Sequence, residues 1–288
     1  MEFWFLLAVL PIFFWGIAAV LAKVSTPQLN VVRVALIIVI IEGAMYFAGY
    51  VSFRNTTTLS FSSILFGLGT AIVGMVAYLC FYESMLDGQV AVIGTISAAY
   101  PALTVLGALL FLSETLTTSE AVGLVAVIFG IVALSYERTP NSQRTIPKRS
   151  LFFALLAFFL WGIWGLATKI TIDTIGPGNM FGFYSIAAVA LPLIYFGIRR
   201  NRLSKSEKPS KFLWAAGAGG VASNVVGTLI FAFALNVGQA SLVVPISSAY
   251  PLVTVALAIT LLGEKLNRLQ TIALAVLLIG LITIGVTS

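Results

Sequence analysis

Long apolar runs alternate along the chain with short polar, glycine- or proline-containing breaks. A bilayer crossing needs about 20 mainly apolar residues. In lipid the backbone must satisfy its own hydrogen bonds, which makes each run a helix. Ten runs fit, at about 3–23, 31–51, 61–86, 90–112, 119–136, 151–172, 179–198, 211–236, 240–262 and 269–286. The breaks Asp87-Gly88-Gln89 and Val237-Gly238-Gln239 are short, so the helices beside them form tight hairpins. The pattern predicts an all-α membrane protein with ten transmembrane helices.

The two halves of the pattern match. Phe13-Phe14-Trp15-Gly16-Ile17, leading to Lys23, recurs as Phe159-Leu160-Trp161-Gly162-Ile163, leading to Lys169. Gln89–Thr117 aligns without gaps to Gln239–Asn267, with 12 identities in 29 positions. Gly67, Gly69, Gly88 and Gly130 meet Gly217, Gly219, Gly238 and Gly280. Shared Gln, Tyr-Pro and Glu at one spacing mark a duplication, because apolar similarity alone would not preserve them. The first repeat covers 1–136, a connecting loop 137–150 and the second repeat 151–288. Five spans per repeat is an odd number, so the second repeat enters from the opposite side and the repeats are inverted. Inverted repeats are a transporter architecture with the binding site between the halves. With both repeats in one chain, a monomer is sufficient.

Composition agrees with lipid as the main solvent. The chain has 288 residues, 60% hydrophobic and only 9% charged, where a soluble domain carries roughly 25% charged residues. The pI of about 9.6 does not point to nucleic acid, since the basic residues gather in short loops. If odd-numbered loops share a face with the flanking helix ends, that face holds 14 of the 16 Lys and Arg, leaving only Arg54 and Lys169 opposite. The positive-inside bias then makes the odd loops cytoplasmic, leaves both termini outside, and suggests a multi-pass protein of the cell membrane. Phe3–Ala22 follows Glu2 rather than a basic stretch and is too long for a signal-peptide core, so it is read as a retained helix. There is no histidine, and Cys80 is the only cysteine. That argues against an internal disulfide and leaves little for metal ligation, so no metal or cofactor is expected.

The paired motifs are Trp-Gly…Lys in the first helix of each half and Ser-x-Ala-Tyr-Pro…Leu-x-Glu in the fourth. With them the chain resembles the drug/metabolite transporter superfamily, and within it the ten-helix EamA-type exporters, including the aromatic amino-acid exporter group. The likeness spans essentially the whole chain. It implies outward movement of amino acids or other metabolites through a cavity lined by the first four helices of each half, with the fifth and tenth helices peripheral. Two positions depart from the pattern. Glu83 stands where the family's third helix more often has a small residue, and the other half has Phe233. Glu42 has no acidic counterpart in the seventh helix.

Candidate chemistry follows from what is costly in lipid. A mid-helix acidic group costs about 2.5–3.5 kcal/mol on insertion scales, and such groups face a cavity or a partner. Glu42, near the middle of its span, has two readings: a proton-coupling carboxylate, or a satisfied interhelical hydrogen bond. Glu83, four residues before Asp87, either binds a substrate ammonium group or reaches the interface. Glu114 and Glu264 end the fourth and ninth spans, where a carboxylate suits capping of the next helix. Lys23 and Lys169 end matching helices, where a cation suits the helix C-terminus and snorkelling reaches the headgroups; a gate ion pair is the alternative. Pro101 and Pro251 fall mid-span and each loosens a turn, as a hinge would. The candidate binding surface is Trp15, Tyr78, Tyr82, Tyr100, Trp161, Trp164, Asn224 and Tyr250, with hydroxyls from Ser97, Ser247 and Ser248. An interfacial belt or helix packing accounts equally well for any single aromatic.

These readings describe a secondary transporter for small organic solutes, amino acids or related metabolites, with lipid and protons as its further partners. The alternative class is a non-transporting membrane scaffold or sensor, for which the space between the halves would be filled with Leu and Ile. An intramembrane enzyme lacks the residues: no histidine, one cysteine and no Ser/Lys pair at recognisable spacing.

Overall fold

The computed structural model describes residues 2–85, 96–135, 147–202, 209–262 and 266–287. Its helices are α1 (Phe3–Leu29), α2 (Val31–Phe53), α3 (Phe61–Met85), α4 (Tyr100–Phe111) and α5 (Thr118–Ser135) in the first repeat. The second repeat holds α6 (Lys148–Ile175), α7 (Pro177–Arg199), α8 (Lys211–Val237), α9 (Ala240–Ser247), α10 (Pro251–Leu262) and α11 (Arg268–Thr287). Among the described residues, eight stretches are long and apolar enough to cross a membrane, with α9 running into α10 as one of them. Shorter apolar helices at Ile96–Phe111 and Thr118–Leu134 take the fourth and fifth positions. The chain is thus an all-α membrane protein of ten transmembrane helices in two inverted repeats. Asp87-Gly88-Gln89 and Glu264 lie outside the described residues.

The long helices turn one face outward and one inward, whereas α9 is buried throughout. Ile40, Phe47, Leu110, Phe111 and Val125 are exposed, while Ile38, Phe181, Phe231 and Leu235 are buried. Such large exposed side chains suit hydrocarbon, not water. Inside, the principal partner of each helix comes from the other repeat: α1 packs on α8, α3 on α6, α2 on α7, and α5 on α11. The inversion exchanges the first two pairings and maps each of the other two onto itself. The bundle is therefore interlocked rather than two five-helix bodies in contact, with α5 and α11 set to the side.

Close approach between repeats depends on absent side chains. A Cβ on Gly16 would meet the Val253 side chain at 2.6 Å, and one on Gly162 would meet that of Leu103 at 2.5 Å. These are equivalent sites in the two repeats. At the same places Thr104 Oγ1 donates to the Gly162 carbonyl at 2.9 Å, and Thr254 Oγ1 to the Gly16 carbonyl at 3.5 Å. Small residues let the backbones approach, and Thr hydroxyls then reach across, each contributing about 0.6 kcal/mol on average.

The ninth span differs from its expectation as one continuous helix. It breaks at Ser248–Tyr250, and α10 begins on Pro251. Proline has no N–H to continue the ladder but suits the first turn of a new helix. The fourth span repeats the device: Ile96–Ala98 is helical, Ala99 is in a turn, and Pro101 lies in the first turn of α4. The two breaks meet where Tyr100 Oη lies 2.6 Å from Ser248 Oγ.

The α5–α11 contact yields a test. A Cβ on Gly130 would lie 2.9 Å from Leu277 Cα and 3.0 Å from its nitrogen, and backbone cannot yield as a side chain can. Gly130→Ala should destabilise the detergent-solubilised protein by about 1–3 kcal/mol, read as a lower thermal unfolding midpoint. Gly197→Ala, where an added Cβ meets nothing within 4 Å, should leave the midpoint unchanged.

Candidate functional site

Glu42 sits on the inner face of α2 with 2% of its surface exposed. α8 supplies Asn224, whose Nδ2 donates to Glu42 Oε1 at 3.4 Å. The Tyr46, Tyr78 and Tyr82 hydroxyls are within electrostatic range of the carboxyl group. Among the described residues no Lys or Arg pairs with it.

Aromatic rings run beside this carboxyl group from both repeats. The Trp15 ring lies 5.3 Å from Phe231, which stacks on Trp164 at 5.5 Å. Tyr184 follows 6.5 Å from Trp164, and Tyr46 lies 5.4 Å from Tyr184. The indole donors are engaged within the protein. Trp15 Nε1 donates to the Asn224 carbonyl at 3.2 Å and to Thr228 Oγ1 at 3.3 Å. Trp164 Nε1 donates to Tyr184 Oη at 3.1 Å, which also lies 3.0 Å from Thr168 Oγ1. Both indoles need glycine opposite: a Cβ on Gly227 would meet Trp15, and one on Gly74 would meet Trp164, each at 2.6 Å.

A second aromatic group adjoins the helix breaks. Trp161 lies 5.1 Å from Phe81 and 5.8 Å from Tyr100. Tyr78 and Tyr82 pack edge to face at 4.9 Å, with Tyr82 Oη donating to Tyr78 Oη at 3.1 Å. Tyr250 meets Trp15 at 6.4 Å, as Tyr100 meets Trp161 in the other repeat. The structure thus distributes Trp15, Trp161, Trp164, Tyr78, Tyr82, Tyr100, Asn224 and Tyr250 over two linked aromatic groups.

The three serines differ from that set. Ser247 is fully buried and donates to the Ala8 carbonyl at 2.8 Å, so it joins α9 to α1. Ser248 donates to the Val244 carbonyl at 2.7 Å and faces Tyr100. Ser97 is 2% exposed. Tyr46, Thr168, Tyr184, Thr228 and Phe231 complete the first group and were missed by sequence reasoning. Tyr46 carried the one available signal, being one helical turn from Glu42.

The other described charged candidates lie at the ends of the bundle. Glu83 is not a solvated interface residue; only 5% of its side chain is exposed. It pairs with Arg149 from the start of α6 and with Arg199 Nε at 3.2 Å from the end of α7, and it accepts from Tyr195 Oη at 2.9 Å. At the opposite end stands the symmetry-related contact with different chemistry. Phe53 ends α2 as Arg199 ends α7, both helices having 23 residues and following a positive-φ residue, Asn30 or Gly176. Phe233 matches Glu83, and Phe53 packs on Phe233 with ring centroids 5.2 Å apart. One end joins the repeats by ions and the other by rings.

Glu114 does not cap the helix that follows it. Its two oxygens accept from the Ala240 and Ser241 nitrogens, both at 2.8 Å, and so cap α9 in the other repeat. Glu120 takes the local role, accepting from the Thr117 nitrogen at 2.7 Å, because it stands three residues on, as in a capping box. Lys169 does not simply extend outward: Nζ donates to the Leu235 carbonyl at 2.9 Å and to Asp173 at 2.8 Å, binding α6 to the end of α8. Lys23 is exposed.

Ten helices as inverted repeats, broken in the fourth and ninth spans around a polar, aromatic centre, define a membrane transporter fold. The model of the EamA-like transporter family matches residues 2–136 and again 148–286, and the chain belongs to that family. A solved crystal structure of another protein superposes with a TM-score of 0.79 at 17% identity, covering 99% of this chain and 96% of that one. That likeness speaks for the fold alone. The uncharacterized protein MJ1333.1 of Methanocaldococcus jannaschii is 42% identical over 64 residues, or 22% of this chain. The chain spans about half (47%) of the length of that relative.

The Glu83 cluster yields a test. Removing one partner of a fully buried pair costs about 3–5 kcal/mol; both guanidinium groups here are about a third exposed, so Glu83→Ala should cost less, about 1–3 kcal/mol. Arg149→Ala and Arg199→Ala should each cost less again, because Glu83 keeps the other partner. Adding Arg199→Ala to Glu83→Ala should cost almost nothing more, which a double-mutant cycle on thermal unfolding would measure.

Proposed function

We propose that the chain is a secondary transporter that exports small organic solutes, amino acids or related metabolites, by alternating access between the repeats, with proton coupling at Glu42. The observation that carries this reading is the content of the central space. A scaffold would fill it with Leu and Ile, whereas this centre holds Glu42, Asn224 and a succession of Trp and Tyr. Trp161, Asn224 and Tyr250 touch that cluster and still keep accessible surface, as residues lining an internal opening do.

The two ends support alternation. The Glu83–Arg149–Arg199 cluster and the Phe53–Phe233 pair are equivalent closures on opposite sides of the site, both formed in this structure, and rocking would open one while the other stays shut. The breaks at Ala99 and Ser248–Tyr250 give the fourth and ninth spans a point at which to bend, which supports the reading of Pro101 and Pro251 as hinges. The Lys/Arg bias supports an orientation in the cell membrane with the Glu83 end in the cytoplasm and both termini outside. A single chain supplies both halves.

Proteoliposomes test the reading. Purified protein should accumulate labelled solute when a pH gradient is imposed, and a screen of solutes by thermal stabilisation identifies candidates, since binding shifts stability by mass action. In Glu42→Gln the accumulation should no longer follow the pH gradient. Undiminished gradient dependence in that variant would remove Glu42 from coupling.

A further inference from the structure

Resting on the transporter reading, we infer that the central site selects organic monocations: compounds with a flat apolar body and an ammonium group, but no carboxylate. Glu42 is buried, and its one side-chain hydrogen bond among the described residues is the 3.4 Å contact from Asn224. The described basic side chains that belong to the bundle act at its ends. Arg149 and Arg199 hold Glu83, Lys169 holds the Leu235 carbonyl and Asp173, and Arg33 donates to the Leu29 carbonyl at 3.2 Å.

A substrate carboxylate would also need hydrogen-bond donors, and three of the nearest are already engaged. Trp15 Nε1 and Trp164 Nε1 have acceptors inside the protein, and Tyr82 Oη donates to Tyr78. An anion here would meet the charge of Glu42 whenever its proton is released, and the negative faces of the rings. An ammonium group meets the reverse. A carboxylate and stacked ring faces both attract a cation, and desolvation strengthens the cation–π contribution. Tyr78, Trp161 and Tyr250 keep accessible surface and provide ring faces for the body of the ligand, while Phe231 is fully buried between Trp15 and Trp164. Of the amino-acid-like solutes in the broader proposal, those lacking the carboxylate fit this chemistry.

Four related probes separate the charges: tryptamine and benzyltrimethylammonium as cations, tryptophan as the zwitterion and indole-3-acetate as the anion. Binding is measured by calorimetry on the purified full chain, and exchange by counterflow into proteoliposomes. The expected result is binding and exchange of both cations, at least about tenfold weaker binding of tryptophan, and none of indole-3-acetate. Glu42→Gln should weaken binding of both cations by about tenfold or more. The ranking of probes on the unaltered protein needs no variant, so poor folding of Glu42→Gln does not blunt the test. Tryptophan or indole-3-acetate binding as well as the cations, or cation binding unchanged in a folded Glu42→Gln, would overturn the charge assignment and leave the transporter reading intact. If none of the four binds or exchanges while another solute does, the assignment fails alone. If no solute of any charge is bound or exchanged, both readings fail.

Discussion

Helices in a bilayer gain nothing from hiding apolar surface from each other, because lipid tails are as apolar as leucine. What holds this bundle must therefore be close packing and hydrogen bonds between helices, and both are placed mainly across the two repeats. Gly16 lets α1 approach the ninth span and Gly162 lets α6 approach the fourth, and Thr254 and Thr104 donate across the same two contacts. Ser185 donates to the Gly43 carbonyl between α7 and α2, and Ser223 to the Phe14 carbonyl between α8 and α1. Each such bond is small on its own. Because nearly all the strong pairings join one repeat to the other, the interface that holds the molecule together is also the one a transporter must be able to shift.

The departures from symmetry are as informative as the symmetry. Where two repeats share a backbone plan, equivalent positions experience equivalent geometry, so a difference in residue type is a difference in chemistry at a fixed place. Arg199 and Glu83 at one end correspond to Phe53 and Phe233 at the other. An ion pair in a partly wetted site and a ring pair in an apolar one respond differently to water entering as the closure opens. The two ends of the bundle thus carry distinct contacts on one architecture, which in the proposed cycle serve as distinct closures.

The number and character of the helices were legible in the sequence because hydropathy and length are local properties, and the duplication was legible because Gln, Tyr-Pro and Glu recur at one spacing. The partners of individual polar groups were not. Glu114 was expected to cap its neighbour in sequence, yet α9 in the other repeat receives it; nothing local reveals which helix start will lie within 3 Å. Trp15 was paired with Trp161 by repeat alignment, whereas across Phe231 it faces Trp164. Glu83 illustrates the same limit, since Arg149 and Arg199 are remote in the chain. The candidate site was half legible: its polar and indole members stand out in an apolar chain, but Phe231 and Tyr184 look like any other lipid-compatible residue until α8 and α7 bring them to Glu42.

Glu42 brings the energetic and functional arguments together. A carboxyl group at mid-span costs about 2.5–3.5 kcal/mol on insertion scales, and a single side-chain hydrogen bond of 3.4 Å offsets only part of that. A structural acid would be expected to carry an arginine or several short hydrogen bonds, as Glu83 does in this same molecule. The contrast between the two acids is the internal control. Glu83 has its counter-charges built in and lies at an end, whereas Glu42 lies at the centre, where its neighbours are rings, hydroxyls and an amide. In the proposed cycle, the missing positive charge arrives from outside the protein, as a proton or as the ammonium group of a substrate. One carboxyl group can then serve both recognition and coupling, because whichever cation occupies it excludes the other.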